Sequence, residues 1–473
     1  MKLIQAILLI LLLLACHARA QHFSTLYEFN GGNSGEFPSG PLLQGPGGIL
    51  YGETDAGGAS DTGTLFSINS DASGFSILCT FLVDTNSFYT NSTGWDPEGG
   101  LILSGDILYG TAYFGGVYPP GWGAIFSFNT ETKNLTGLYS FNNKTPDDGV
   151  SPEGSLLLIN NMLYGTAPGY GLGDEGSVFS ISTVDDTFSA LHSFSTIPSD
   201  GTNDDGAQPS GPLLLSGSTL YGTAYNGGLY GAGALFAIGT GGIGFTNFYS
   251  FSACINSGGL YIGENQDGAG PIAGLIISGT TLYGTTTGGG TNAVGTVFSV
   301  SIDGTGFKVL HHFTAGSDGG RSYSTLLLSG STLYGTAAYG NTNGFGAVFS
   351  VNTDGSNFRT LHDFTGGDDG ANPTSGLILA SNTLYGVAEQ GGTNGYGTVF
   401  SISVAPQLAI RNLGNHVILS WPDVATGYTL KSTTSLVLPV TWTTVTPAPV
   451  ITGGQFTVTN IVSGKQIFYQ LSP

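Results

Sequence analysis

The chain has 473 residues, of which only 9% are charged and 79 are glycine, and its 31 acidic residues outnumber 10 lysines and arginines. The formal charge of -21 argues against nucleic acid and anionic membrane surfaces as partners, because both are bound through basic patches. Three cysteines in a chain of this length exclude a fold built on disulfides.

Residues 1–20 have the composition of a signal peptide. Lys2 precedes the apolar run Leu8 to Leu14, and Ala18-Arg19-Ala20 gives a small-residue cleavage site before Gln21. This order predicts a secreted, extracellular protein. The run Leu13-Leu14-Ala15-Cys16 leaves one alternative, a lipoprotein tethered to a membrane through Cys16. No transmembrane segment is expected, because no stretch approaches about 20 uninterrupted apolar residues.

Residues 21–404 consist of one unit that recurs seven times. The tyrosine of a Leu-Tyr-Gly triplet marks the copies, and its spacing of 51 to 62 residues is typical of propeller blades. The seven tyrosines are Tyr51, Tyr109, Tyr164, Tyr221, Tyr283, Tyr334 and Tyr385. Phenylalanines recur at two further positions of each unit, and we expect such shared aromatic residues to form the core between sheets.

Each unit contains four short runs with the character of strands. In the copy that ends at Phe251 they are Gly211 to Ser216, Thr219 to Thr223, Ala234 to Ile238, and Phe245 to Phe251. Four antiparallel strands per unit, repeated seven times, predict an all-β fold, a seven-bladed β-propeller.

The chain ends suggest how the array closes. Phe23 to Phe29 resembles a fourth strand with no first three before it, whereas the last repeat, Gly376 to Val404, has the first three strands and no fourth. We expect these two segments to pair, so that the N-terminal strand completes the last blade and no sheet edge is left exposed. An open solenoid is the alternative, but it would need atypical capping repeats.

The LYGT-like, GG and GTVFSI-like segments and the DGxxP connection resemble the GloVer tandem repeats of secreted bacterial proteins, over residues 23–404. The resemblance implies a secreted, propeller-like array joined to a variable C-terminal module. It implies no activity.

Residues 405–473 differ from the repeats in charge and composition. This segment has three basic residues, Arg411, Lys431 and Lys465, and one acidic residue, Asp423. It contains about six short strand-like runs and few glycine pairs. This segment resembles a small fibronectin-III-like module, so we expect a β-sandwich here. Trp421 and Trp442 are predicted to fill its core.

Three histidines occupy one alternating position of the fourth strands, His192, His311 and His362. They recur once per unit, so we expect them to lie too far apart to share a zinc ion at about 2 Å per ligand. A structural role is favoured.

Acidic residues in the connections between units are the candidate ligand or cation sites. They are Asp147, Asp200, Asp204, Asp205 and Asp368. Carboxylate oxygens suit calcium, but the spacing matches no twelve-residue calcium loop. Ordinary turn chemistry and a solvated loop are the competing interpretations. No cofactor is predicted, with calcium left open.

The sequence favours a monomeric, non-enzymatic binding or scaffolding protein of the cell exterior, with a glycan or protein ligand, because it contains no catalytic motif. The alternative is a carbohydrate-active enzyme on a propeller scaffold. Such an enzyme would need two or more carboxylates that converge on one funnel. The nearest candidates are Glu53, Glu264 and Glu389.

Overall fold

A computed structural model of the protein describes most of the chain after the predicted signal peptide. The described residues are 23–82, 91–142, 148–169, 175–255, 263–340, 342–404, 406, 408–413, 416–422, 428–436, 440–452, 455–461 and 467–472. The predictions for the signal peptide and Cys16 lie outside them. Within these ranges the fold is all-β, with two three-residue 3-10 turns, Gly32–Ser34 and Pro46–Gly48. No helix among the described residues is long and apolar enough to cross a membrane.

In the described part of the chain, the repeat region forms seven sheets, which we number in chain order. The first strand, β1 (Phe23–Glu28), belongs to sheet 7. Sheet 1 contains β2 (Glu36–Gln44), β3 (Ile49–Ala56), β4 (Thr64–Asn69) and β5 (Ser76–Thr80). Sheet 2 contains β6 (Asn91–Pro97), β7 (Ile102–Ser104), β8 (Ile107–Gly116), β9 (Ala124–Asn129) and β10 (Leu135–Ser140). Sheet 3 contains β11 (Leu157–Ile159), β12 (Met162–Ala167), β13 (Ser177–Ser182) and β14 (Phe188–Ser193). Sheet 4 contains β15 (Leu214–Ser216), β16 (Thr219–Ala224), β17 (Ala234–Gly239) and β18 (Thr246–Ser250).

Sheet 5 contains β19 (Ile276–Ser278), β20 (Thr281–Thr286), β21 (Thr296–Ser301) and β22 (Lys308–His312). Sheet 6 contains β23 (Leu327–Ser329), β24 (Thr332–Ala337), β25 (Ala347–Asn352) and β26 (Arg359–Asp363). Sheet 7 contains β27 (Ile378–Ala380), β28 (Thr383–Ala388) and β29 (Thr398–Ser403), with β1 beside β29. Six of these sheets have the predicted four strands. Sheet 2 has a fifth, because β6 also pairs with β8.

The predicted pairing of the chain ends is present in sheet 7. Its strand order is β1-β29-β28-β27, and the backbone N–H of Phe29 donates to the carbonyl of Gly397 at 3.0 Å. The N-terminal strand therefore supplies the fourth strand that the last repeat lacks.

Aromatic side chains pack between consecutive sheets, as the repeat pattern predicted. Tyr221 of sheet 4 lies in one buried cluster with Leu282 and Phe298 of sheet 5. The glycine after this tyrosine is required by close packing, since a Cβ on Gly222 would lie 2.4 Å from the ring of Phe236. The Leu-Tyr-Gly triplet thus places a core tyrosine beside a position that only glycine can occupy.

The connection that enters each sheet is tied to the sheet before it. The residue before the proline has a positive φ, 63° at Asp96 and 55° at Gln208, and its N–H donates backwards to a carbonyl. Asp96 donates to Thr62 at 3.0 Å, and Gln208 donates to Glu175 at 2.8 Å. The equivalent donors in the other sheets are Phe37, Ser151, Gly270, Arg321 and Asn372. This repeated bond fixes the direction of the residues that follow the connection.

The chain separates into two compact units. The larger is formed by Thr25–Ile378 and Tyr385–Phe400, and the other includes Leu379–Leu384 and Ser401–Pro473. In the latter, one sheet contains β30 (Ala409–Asn412), β31 (His416–Pro422), β34 (Val450–Thr452) and β35 (Gln455–Ile461). A second sheet contains β32 (Thr429–Thr433), β33 (Thr443–Thr444) and β36 (Phe468–Ser472).

Trp421 is 1% exposed and lies in the buried cluster of this segment, with its ring centroid 5.5 Å from that of Phe456. The prediction that Trp421 is a core residue is confirmed. Trp442 is half-buried and does not belong to that cluster.

We expect Tyr221→Ala to lower the free energy of unfolding by about 3–5 kcal/mol, as a large-to-small change in a packed core. Tyr221 is 7% exposed, whereas Tyr230, in the same repeat, is 55% exposed. Tyr230→Ala is therefore the matched control and should change stability little. Urea unfolding of both variants measures the difference, and equal losses would show that the tyrosine does not hold the two sheets together.

Candidate functional site: an acidic cavity

One cavity of about 520 Å³ is lined by all seven sheets of the repeat region and lies within the larger unit. The same repeat position faces it each time, the residue that follows the proline of the connection or its equivalent. These residues are Ser39, Glu98, Glu153, Ser210, Ile272, Tyr323 and Thr374. Since the backbone is repeated, the side chains at this position determine the chemistry of the cavity.

Carboxylates are concentrated on one side of this cavity. Glu98 and Glu153 occupy the position after the proline in sheets 2 and 3. Asp55 and Glu389 share another position, four residues after the Leu-Tyr-Gly tyrosine, in sheets 1 and 7. Glu53, in sheet 1, lies behind the lining. Four sheets therefore direct acidic side chains towards one space.

Glu53 replaces a threonine that other repeats use to tie one sheet to the next. Thr223, for example, donates its hydroxyl to the carbonyl of Ala273 at 3.0 Å. Glu53 reverses this bond: its Oε1 accepts from the backbone N–H of Gly100. Its side chain is completely buried, and its Oε2 has no hydrogen-bond partner. Burial, with a smaller contribution from Asp96, raises the pKa of Glu53 to about 8.

Three further carboxylates converge next to Glu53. Single oxygens of Asp55, Asp96 and Glu98 all lie within 4.8 Å of one another. Burial raises the pKa of Asp96 to about 6, and burial together with repulsion from Asp96 and other carboxylates raises the pKa of Glu98 to about 9. Burial, followed by repulsion from Glu98 and Asp96, raises the pKa of Asp55 well above its usual range.

Glu153 and Glu389 extend the acidic wall, and burial raises the pKa of both carboxyl groups. Among the described residues that line the cavity, none is a lysine or an arginine. The arrangement can therefore bind a cation, accept hydrogen bonds from hydroxyl groups, or hold protons near neutral pH.

The sequence-predicted loop aspartates lie elsewhere and are not brought together. Asp200 is exposed and accepts from the N–H of Thr202 at 3.2 Å, which is turn chemistry. Asp204 is exposed, and the Oδ1 of Asp368 accepts from the hydroxyl of Thr393 at 3.4 Å. Asp147 lies outside the described residues. Within the described ranges, Asp55, Asp96 and Glu98 form the group of carboxylates whose ligand atoms converge.

Asp205 belongs to a structural pattern found in five of the connections. Its Oδ2 lies 3.1 Å from His192 and accepts from the N–H of Ser195 at 2.9 Å. Burial opposes ionisation, but the bonds from His192 and Ser195 hold the pKa of Asp205 below its usual value. The equivalent pairs are Tyr139–Asp148, Tyr249–Asp267, His311–Asp318 and His362–Asp369. Each of the three histidines thus contacts the aspartate of its own connection, a bond that the sequence had not predicted.

Of the six acidic residues in and behind the cavity wall, two were predicted from the sequence and four were not. Glu53 and Glu389 were candidates under the enzyme hypothesis, whereas Glu264 exchanges backbone bonds with Ile255 and does not line the cavity. The missed residues are Asp55, Asp96, Glu98 and Glu153. An alignment of the repeats could have identified these four residues, because each is acidic at a position where most repeats have a neutral residue.

We expect the metal-free protein to lose stability as the pH rises. Between its ordinary pKa of 4.5 and its folded pKa of about 8, Glu53 keeps a proton in the folded state that the unfolded chain has released. The stability that this bound proton contributes is therefore fully present below the pKa of the unfolded chain, and it is lost as the pH rises through the pKa of the folded state. Each unit of pKa corresponds to about 1.4 kcal/mol, so the loss should reach several kcal/mol.

Urea unfolding in EDTA between about pH 5 and about pH 9 measures this dependence. Glu53→Gln keeps an acceptor for Gly100 but has no proton to lose, so its stability should fall less. Glu131→Gln, at an exposed turn, is the control. A pH dependence identical in parent and Glu53→Gln would contradict the assignment.

Asp205 and Asp204 should respond differently to the same change. We expect Asp205→Asn to lower stability by about 1.5–3 kcal/mol, because it weakens bonds from His192 and Ser195 to a charged acceptor. Asp204→Asn, at an exposed neighbouring side chain, should be neutral. Thermal denaturation compares the two, and equal melting temperatures would disprove the structural role of Asp205.

Comparison with solved structures finds similarity at low sequence identity. TolB from Acinetobacter baumannii is 14% identical, and the match covers 70% of this chain and 64% of that one, with a TM-score of 0.37. An oligogalacturonate lyase from Vibrio parahaemolyticus is 9% identical, with 82% of this chain and 97% of that one covered and a TM-score of 0.47. A putative 6-phosphogluconolactonase from Bacteroides fragilis is 16% identical, with 76% and 97% covered and a TM-score of 0.44. No curated protein matches the chain.

The sequence pattern of one repeat family matches residues 83–263 and 256–413, which is most of the chain. These stretches carry the glycines, tyrosines and phenylalanines that pack between the sheets described above. The chain therefore belongs to the Gloeobacter/Verrucomicrobia repeat family.

Proposed function

We propose that this is an exported, non-enzymatic binding protein, a seven-bladed β-propeller with a C-terminal β-sandwich, which takes a glycan into its acidic cavity. The observation that carries the proposal is that equivalent residues of seven sheets line one space of about 520 Å³. A cavity of this size lies within the usual range of ligand pockets. The two C-terminal sheets and the buried Trp421 support the sandwich.

The lining has the groups that a sugar requires. Tyr323 and Tyr339 meet edge to face at 6.4 Å between ring centroids, and Tyr339 is 44% exposed. An exposed aromatic face offers an apolar surface to the C–H side of a sugar ring. Carboxylates and hydroxyl groups, among them Glu389 and Ser375, can bond the sugar hydroxyls.

The charge of the cavity restricts the class of glycan. Its carboxylates include Glu98, Glu153 and Glu389, and no lysine or arginine of the described lining opposes them. An anionic polysaccharide would be repelled by this wall. The ligand we propose is therefore a neutral glycan or one that contains amino sugars.

A carbohydrate-active enzyme is the second candidate function. It is favoured by one observation, that Asp96 and Glu98 lie close together with pKa values of about 6 and about 9. Two carboxyl groups with separated pKa values can act as base and acid. Release of new reducing ends from a bound glycan, lost in Glu98→Gln, would favour this enzyme over a binding protein.

We expect the mature protein to bind neutral or amino-sugar oligosaccharides, and Tyr339→Ala to weaken that binding by about tenfold or more. Calorimetric titration with the oligosaccharides retained in a glycan screen measures the affinity. Tyr230→Ala removes another exposed tyrosine, which lies outside the cavity lining, and should bind as the parent does. A screen that retains only anionic glycans, or equal affinities in the two variants, would refute the proposal.

A further inference from the structure

The acidic cluster beside the cavity has the geometry of a cation site. Asp55 comes from β3 and Asp96 from β6, and Glu98 follows Asp96 by two residues. The bond from the Asp96 N–H to Thr62, together with the positive φ of Asp96, holds the connection against sheet 1. As a result, single oxygens of the three carboxylates lie within 4.8 Å of one another.

Buried oxygens without partners provide an independent observation. Glu53 is completely buried beside this cluster, and its Oε2 has no hydrogen-bond partner. The Oδ1 atoms of Asp55 and Asp96 are also buried and also lack partners. A carboxylate oxygen removed from water is costly unless a donor or a cation satisfies it. The described surroundings offer Glu53 one backbone donor, the N–H of Gly100.

The other repeats show that this arrangement is not a requirement of the fold. At the position of Glu53 five of them have a threonine, such as Thr166, whose hydroxyl donates to the carbonyl of Gly211 at 3.1 Å, and sheet 7 has Val387. At the position of Asp55 five repeats have an uncharged residue, such as Tyr225 or Thr287, and only sheet 7 has a second carboxylate, Glu389. Sheets of the same geometry therefore form without the carboxylates, so the cluster needs an explanation outside the fold.

We infer that Asp55, Asp96 and Glu98, with the buried Glu53 beside them, bind a calcium ion. Carboxylate oxygens alone are the ligand set of a hard divalent cation, and calcium accepts six to eight oxygens in flexible geometry. Calcium–oxygen distances of about 2.3–2.6 Å let one ion bridge oxygens up to about 5 Å apart, which covers the observed span. Magnesium, at about 2.1 Å, reaches little beyond 4 Å. Water from the adjoining cavity can complete the coordination.

The inference shares Glu98 with the proposed glycan site but does not require a glycan, because the ligands of the ion are carboxylates of the cavity wall. Its test uses the whole mature protein, stripped with EDTA and titrated with calcium chloride in a calorimeter. We expect one calcium ion per chain and a melting temperature that rises on calcium addition. Asp96→Asn and Glu98→Gln should each weaken calcium binding by about tenfold or more, since each removes a charged ligand.

Two controls keep the result interpretable. Asp200→Asn combined with Asp204→Asn removes two exposed loop carboxylates away from the cluster, and calcium affinity should be unchanged. In EDTA, the cluster variants should melt at or above the temperature of the parent, because a buried carboxyl group that is costly to ionise is replaced by a neutral amide. This comparison separates a lost ligand from a failure to fold.

Three results would overturn the assignment. They are a parent protein that calcium neither binds nor stabilises, cluster variants that keep the parent's affinity, and a site that binds magnesium as tightly as calcium. Loss of binding in the loop variant would instead place the ion at the Asp200 loop and also reject the cluster. A parent that binds calcium but no glycan would leave this inference intact and refute only the proposed function.

Discussion

Packing of each sheet on the next is the interaction on which the repeat region depends. A four-stranded sheet with apolar residues on both faces cannot bury them alone, so each unit is stable only beside its neighbours. Tyr164 of sheet 3 shares a buried cluster with Leu220 and Phe236 of sheet 4, and equivalent clusters join sheets 1 and 2, 2 and 3, 4 and 5, and 5 and 6. The tyrosine, the glycine behind it and the phenylalanine are therefore fixed together in each unit.

Because these shared positions carry the packing, other positions are free to differ between units. The residue after the connecting proline or its equivalent varies from Ile272 to Tyr323 to Glu98, while the short strand that follows it pairs with the Leu-Tyr-Gly strand in each of these sheets. That position faces the cavity, so the side chains that differ between repeats are the ones that a ligand in the cavity would contact. Residues shared by all repeats thus form the scaffold, and residues that differ between repeats form the candidate site.

The same distinction explains what could be predicted from the sequence. Shared residues such as Tyr221 and the closing strand Phe23 to Phe29 were predictable because periodicity reports packing directly. The acidic cluster was not, since Asp96 and Glu98 flank a proline in a connection that resembles ordinary turn chemistry. Their direction depends on the positive φ of Asp96 and on its bond to Thr62, which belong to the folded chain. The loop aspartates were candidates because they are close together in the sequence. The carboxylates that are close together in the folded protein come from different repeats.

The acidic site also depends on how the chain closes. Asp55 comes from the first repeat and Glu389 from the last, at the same position of their units, and Glu389 contributes to the raised pKa of Asp55. The pairing of β1 with β29 and the bond from the N–H of Phe37 to the carbonyl of Tyr396 make the last sheet a neighbour of the first. The carboxylates repel one another, so they oppose the closure that brings them together. A bound cation would turn this repulsion into attraction to a shared ion. Pairing of the chain ends and cation binding would then stabilise each other.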